Sequence, residues 1–195
     1  MTIHGSVSRC LFRLTLAIAV NVLVWAGVEI GGIAPASAYE VWLTDQSDTA
    51  KESGGFLYIY DGAALAANPA AAKPAVTIDL SGEINTFCEA TTKKPVRRPH
   101  MLFFNKDQSH VILSFLSGHV LFMDAKTRKP EACLSMGKNA HAAWPTPNQK
   151  MAIAANIIEK KFVRIWTDYA AHTFSFDPEK DVVNLALLEG GERPD

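Results

Sequence analysis

The chain has 195 residues, with 19 Lys and Arg against 20 Asp and Glu, a net charge of −1 and a near-neutral mean hydropathy of +0.05. So balanced a charge creates no field that would gather nucleic acid or anionic lipid, and both are excluded as electrostatic partners. Three cysteines are too few for a disulfide framework.

Residues 1–38 have the form of an export signal. Arg9 and Arg13 make a basic start, Leu14 to Val28 form a nearly unbroken apolar stretch, and Ala36-Ser37-Ala38 is a small-x-small cleavage site. The apolar stretch approaches bilayer-spanning length and would suit an uncleaved anchor. Asn21 and Glu29 interrupt it, however, and Pro35 with the Ala-Ser-Ala site follows at the spacing that signal peptidase uses. Cleavage after Ala38 is therefore expected, leaving residues 39–195 periplasmic or secreted, with no stable membrane anchor.

The remaining 157 residues suffice for one domain and not for two. Cys10 leaves with the signal. Cys88 and Cys133 then stand 45 residues apart in an oxidising compartment. They either form a disulfide or stay as two thiols. Equivalent positions on neighbouring blades have difficulty bringing α-carbons within about 7 Å, which favours the thiols.

Along the mature chain, short runs of alternating or continuous β-branched and aromatic residues recur, and none carries a sustained helical stripe with caps. The strands expected are 40–44, 56–60, 75–80, 100–104, 110–115, 119–124, 132–135, 140–144, 151–156, 162–167, 171–177 and 182–187. Between them, Asn105-Lys106-Asp107, Ser117-Gly118 and Pro147-Asn148-Gln149 supply residues that tolerate turn dihedrals or bond their own backbone. Residues 62–75 are rich in Ala, but Pro69 and Pro74 break a helix there, so a loop with one helical turn is expected.

An internal repeat organises this reading. His100 aligns with His141, Asp107 with Asn148, Gln108 with Gln149 and Ser114 with Ala155, all 41 residues apart. After the hairpin the offset becomes 43 and pairs Val120 with Val163, Phe122 with Ile165 and Met123 with Trp166. A four-stranded unit repeating at about 40–45 residues is the signature of a propeller blade, a twisted sheet that buries its faces only against neighbours. The fold class expected is all-β: a partial β-propeller of about three four-stranded blades preceded by a signal peptide. Trp42, Trp144 and Trp166 are expected in the core or between blades.

These residues resemble the bacterial periplasmic propellers of the YVTN and lactonase-like group. Their blades run as proline, histidine, apolar strand, Ser-Pro-Asp-Gly turn, a strand ending in Asn, a short hairpin and Val-x-Val-Ile-Asp. One unit here carries Pro99-His100, Asn105-Lys106-Asp107-Gln108 and Val120 to Asp124. The next carries His141, Thr146 to Gln149, Ala155-Asn156 and Val163 to Ile165, and Phe56 to Asp61 is similar to the same Asp-ended strand in an earlier blade. The turn Asp-Gly has become Asp-Gln and Asn-Gln, and Thr167 stands where Asp124 has its counterpart. The resemblance covers residues 56–168 and implies architecture more than activity. Closed propellers need four to eight blades, so three blades imply an N-terminal part of a longer propeller, a truncated or partial chain. The alternative is a small β protein that covers its open edges by assembly.

In a propeller the innermost strands surround an axial channel. His100 and His141 start successive innermost strands and are the candidate ligand-binding residues at its mouth, and the candidate metal ligands. Imidazoles from different blades are good ligands for copper and haem iron, so those are the cofactors this pair would take. The competing reading, in which each histidine bonds neighbouring backbone and organises the mouth without any cofactor, is favoured. His110, His119 and His172 are expected on turns or outer strands, in solvent. Lys93, Lys94, Arg97 and Arg98 make a local basic cluster, read as a solvated loop. No phosphate loop, His-Glu-x-x-His, Gly-x-Ser-x-Gly or Cys-x-x-Cys-His motif occurs. The function expected is an exported binding platform for a partner protein or small ligand. A propeller oxidoreductase with copper or haem is the alternative. A lactonase-like hydrolase ranks last, because no inner-strand carboxylates stand out.

Overall fold

The structure is a computed structural model that describes residues 39–46 and 54–187. The expected export signal over 1–38 lies outside the described residues, as do 47–53 and 188–195. The described chain is mostly β, in three antiparallel sheets. The first holds β1 (Glu40–Asp45), β2 (Phe56–Asp61) and β3 (Val76–Asp79). The second holds β4 (Pro99–Phe104), β5 (His110–Phe115), β6 (His119–Asp124) and β7 (Pro130–Ser135). The third runs β8 (Ala142–Pro145), β9 (Met151–Asn156), β10 (Lys161–Asp168) and β11 (Thr173–Ser175), and β12 (Val182–Asn184) joins the beginning of β10.

Local chemistry accounts for the hairpins. Between β4 and β5 the buried Asn105 accepts the His110 backbone N–H at 2.9 Å and donates to Ser109 Oγ at 3.0 Å, closing the turn with a side chain. Gly118, between β5 and β6, has φ +95°, and a β-carbon there would collide with the Gly137 carbonyl.

The sheets stack as blades because the middle one is apolar on both faces. Strand alternation sends Val111, Leu113 and Phe115 of β5, with Leu121 and Met123 of β6, toward Leu57 and Leu80 of the first sheet region. It sends Ile112, Val120 and Phe122 to the other side, against Ala143, Ala152, Ala154 and Val163 of the third. Large side chains thus meet alanines, and Phe122 enters the space they leave to stack on Phe174 at 4.1 Å between ring centroids. Each fully buried side chain of this size contributes roughly 1.5–3 kcal/mol. The first strands of the three sheets, β1, β4 and β8, neighbour one another in turn. Innermost first strands with each meander running outward make the arrangement of propeller blades.

The blades are not uniform. The first has three strands, followed by a helix, and the third has five. The short helix α1 (Gly62–Ala67) fills the Ala-rich stretch, capped by Asp61, whose Oδ1 accepts the Ala64 N–H at 2.7 Å. The helix α2 (Glu83–Thr92) is absent from the all-β expectation and packs on β7. Its apolar stripe is only Ile84, Phe87 and Cys88, its N-terminus has no side-chain cap, and four of its ten residues are β-branched. Such a segment has weak intrinsic helicity and is helical because tertiary packing holds it.

Two further expectations are corrected. Cys88 and Cys133 are bonded, with α-carbons 5.2 Å apart. Cys88 rides on α2 rather than on a strand, and the helix carries it to the outer strand of the next blade. Trp144 and Trp166 are 37% and 45% exposed, on the same outer face of the third sheet as Phe162. No described sheet covers that face. Trp42 does pack against the first core, edge-on to Phe104 at 5.4 Å.

Candidate functional site

His100 is the second residue of β4, and His141 immediately precedes β8. The pairing of β4 with β5 is interrupted between Pro99 and Leu102, so His100 and Met101 sit in a bulge, a device that re-aims side chains at strand ends. Ser114 of β5 fills the gap. Its Oγ lies 3.3 Å from the Met101 N–H and 3.0 Å from the His141 carbonyl oxygen.

The two imidazoles are brought together, with ring centroids 4.3 Å apart and planes tilted by 45°. His100 Nδ1 lies 3.0 Å from the His141 carbonyl oxygen. A carbonyl only accepts, so Nδ1 carries the proton, and in the neutral ring Nε2 keeps its lone pair. Desolvation, and secondarily the charge of His100, lower the His141 pKa. Two half-buried imidazoles this close disfavour a second charge. On the side of β1, Thr44 Oγ1 donates to the His100 carbonyl at 3.1 Å, so the first strands of three successive blades are linked through this point. Chemically the pair offers a fixed imidazole acceptor beside a second imidazole, able to receive a hydrogen-bond donor or a borderline metal ion.

Of His110, His119 and His172, the first two depart from expectation. His110 and His119 are 3% and 1% exposed, and only His172 is in solvent. The reason is their position: each opens a middle strand of the doubly covered blade. His119 Nδ1 is 2.9 Å from Ser117 Oγ and Nε2 is 3.1 Å from Thr92 Oγ1. Burial, then the charge of Lys94, pushes its pKa down to about 4. The signal was present in the sequence, because His110-Val-Ile-Leu and His119-Val-Leu-Phe-Met begin continuous apolar runs, the mark of a strand buried on both faces. Sequence distance concealed that His110 and His172 converge on Glu131. In the basic cluster, Lys93, Lys94 and Arg98 are exposed and Arg97 is partly buried.

Among solved structures the chain is similar to the periplasmic gluconolactonase of Pseudomonas aeruginosa, with 11% identity, 75% of this chain and 39% of that one covered, and a TM-score of 0.49. It is also similar to the dihydro-haem d1 dehydrogenase NirN, with 13% identity, 64% and 21% covered and a TM-score of 0.44. A third is the β-propeller domain of a Myceliophteria thermophila protein, with 11% identity, 60% and 33% covered and a TM-score of 0.41. The matched region thus spans 21 to 39% of those chains, and at such identities no site residue is transferred from them. No protein-family model and no curated protein matches the sequence. Among the described residues, no helix is long and apolar enough to cross a membrane.

Proposed function

We propose that the chain is an exported β-propeller-type binding platform, part of a longer propeller of the YVTN and lactonase-like kind, that seats a partner protein or small ligand where His100 and His141 meet. The observation that carries this reading is that pair. Two residues one blade repeat apart stand ring to ring at the same end of adjacent innermost strands, with one tautomer set by a backbone carbonyl. Export rests on the residue pattern of 1–38, and the longer propeller on the number of repeats.

Co-purification from periplasmic extract tests the platform. A partner retained by the wild type and released by His100→Ala/His141→Ala, with an unchanged circular dichroism spectrum, supports it; retention by the double variant overturns it. The mass of the periplasmic product tests both export and completeness. A product beginning at Tyr39 supports cleavage, and a mass well above the encoded chain supports a longer propeller.

The oxidoreductase reading is favoured by one specific observation, the His100 Nδ1 contact with the His141 carbonyl, which leaves the Nε2 lone pair of the neutral ring open to a ligand. Where copper or haem iron binds, that atom and His141 are the residues that would hold it, and the group would supply electron transfer. Stoichiometric binding of Cu²⁺ or haem that vanishes in the double variant supports this second reading; no binding by the wild type removes it.

A further inference from the structure

His110, Glu131 and His172 come from three elements and two neighbouring blades: the start of β5, the start of β7 and the turn before β11. His110 Nε2 faces Glu131 Oε2 at 3.0 Å, and His172 Nδ1 faces Glu131 Oε1 at 2.6 Å. One nitrogen or oxygen from each lies within 4.8 Å of the others.

The proton inventory of His110 is informative. Ser109 Oγ lies 2.8 Å from Asp107 Oδ1, which as a carboxylate only accepts, so the one hydroxyl proton goes there. Ser109 Oγ therefore accepts from His110 Nδ1, 2.7 Å away, and from Asn105 Nδ2 at 3.0 Å. With Nδ1 protonated, the neutral ring turns a lone pair on Nε2 toward a carboxylate oxygen at 3.0 Å. Two lone pairs do not face each other at that distance in a buried site unless a positive charge lies between them. A proton would serve, but neither His110 Nε2 nor Glu131 Oε2 has an aligned hydrogen-bond partner, although the His110 side chain is only 4% exposed. Two ligands of one cation need no such alignment with each other.

We propose that His110, Glu131 and His172 form a binding site for a divalent transition ion of the zinc class, which clips the second blade to the third. Two imidazoles and one carboxylate are a zinc donor set, and bond lengths near 2.0–2.1 Å in a tetrahedron separate ligands by about 3.3 Å, close to the 3.0 Å between His110 and Glu131. The contact of His110 with Glu131 has nearly that scale, and the direct 2.6 Å contact of His172 with Glu131 would open as the 55% exposed His172 side chain turns toward the ion. Ser109 fixes the His110 tautomer in the way outer hydrogen bonds orient metal-bound imidazoles. Tyr169 and Phe174 wall the ring at 5.1 and 5.9 Å.

The probe is Zn²⁺ alone, titrated into chelator-stripped full chain in competition with a chromophoric chelator. The proposal expects the wild type to bind an equivalent that depends on Glu131 and His172. It expects a loss on the order of 100-fold or more in affinity in His172→Ala and in Glu131→Gln, since even residues that only orient ligands change affinity 10–100-fold. His172→Ala alters an exposed turn side chain and leaves the fold intact, which circular dichroism checks. His100→Ala/His141→Ala, which removes the other imidazole pair, should keep the equivalent that depends on His172 and Glu131. The proposal is overturned if the wild type binds no stoichiometric Zn²⁺, if His172→Ala binds equally well, or if binding is lost only with His100 and His141.

Discussion

Cys88 on α2 and Cys133 on β7 are covalently joined across the rim between the first two blades, 45 residues apart in sequence. The same junction carries Thr91, whose Oγ1 lies 3.0 Å from the Cys88 carbonyl of its own helix and 3.3 Å from the Cys133 carbonyl, so the bond is the firm tie of the helix to the next blade. Closing a loop of this length limits the unfolded chain by an amount worth about 4 kcal/mol in the chain-entropy account. Cys88→Ser/Cys133→Ser is expected to lose about 2–4 kcal/mol of unfolding free energy in urea, and reduction of the wild type should reproduce the loss. Equal stability of the oxidised and reduced forms would show that α2 docks without help from the bond.

Phe122 and Phe174 join the second and third blades in the same way that the disulfide joins the first two, but by packing. Phe122 is fully buried among alanines of the facing sheet, which cannot move in to fill a space. Phe122→Ala should therefore cost about 3–5 kcal/mol, measured from the urea midpoint. Phe122→Leu, which keeps most of the volume, should cost less than half as much. A cost below about 1 kcal/mol for the alanine variant would mean that the two blades are not held by this contact.

The two hairpin turns give a paired test. Gln108 and Gln149 both have φ +59°, the left-handed conformation, at the positions where the blade pattern has glycine. That conformation costs a side-chain-bearing residue about 1 kcal/mol. Gln149 recovers it, because its Oε1 accepts the Lys106 N–H at 2.8 Å and its Nε2 donates to the Thr146 carbonyl. Gln108→Gly is thus expected to stabilise the protein by about 0.5–1 kcal/mol. Gln149→Gly should be neutral or destabilising, since two hydrogen bonds are lost. Thermal melting of both variants checks this, and a gain from Gln149→Gly equal to that from Gln108→Gly would contradict the compensation.

Most strands were legible because they alternate or run continuously apolar between turn residues, although the expected strand 182–187 ends at Asn184 and gives way to a 3₁₀ turn at Leu185–Leu187. The 41-residue offset of His100 and His141 revealed that successive units are equivalent. From equivalence it follows that the two histidines share one end of adjacent strands, and they lie ring to ring. Helix α2 was not legible. Ile84, Phe87 and Cys88 have helical spacing, but three apolar positions among β-branched neighbours are too weak a pattern without the sheet that they pack against. The disulfide was obscured by the same gap, since its geometry depends on the helix. Burial of His110 and His119 was legible in principle from the apolar runs that they open, but their expected place on turns or outer strands suggested solvent. The grouping of Glu131 with His172 depended on how blades meet, which periodicity within a blade does not encode.

His119 makes a specific acid sensitivity. In the folded chain its pKa lies near 4, through burial and then the charge of Lys94, against about 6.5 for an unperturbed histidine. Its ring neighbours are the hydroxyls of Ser117 and Thr92 and the backbone of Lys94, whose hydrogen bond only partly opposes the lowering, and none is a carboxylate that would balance a charge. The unfolded chain therefore binds a proton at a pH where the folded chain does not. The stability that this neutral ring represents is fully present above pH 6.5 and is lost as the pH falls from there toward 4. With a shift of this size, the loss between pH 7.5 and 4.5 is on the order of 2–3 kcal/mol. His141, also lowered, acts in the same direction, so the informative quantity is the difference between proteins. His119→Gln retains a polar side chain for Ser117 and Thr92 but takes up no proton in this range. Urea unfolding at pH 7.5 and 4.5 should show the wild type losing 2–3 kcal/mol, as an order of magnitude, more than the variant. Parallel losses would mean that His119 accepts a proton inside the folded blade, and that its two hydroxyl partners reorient to stabilise the charged ring.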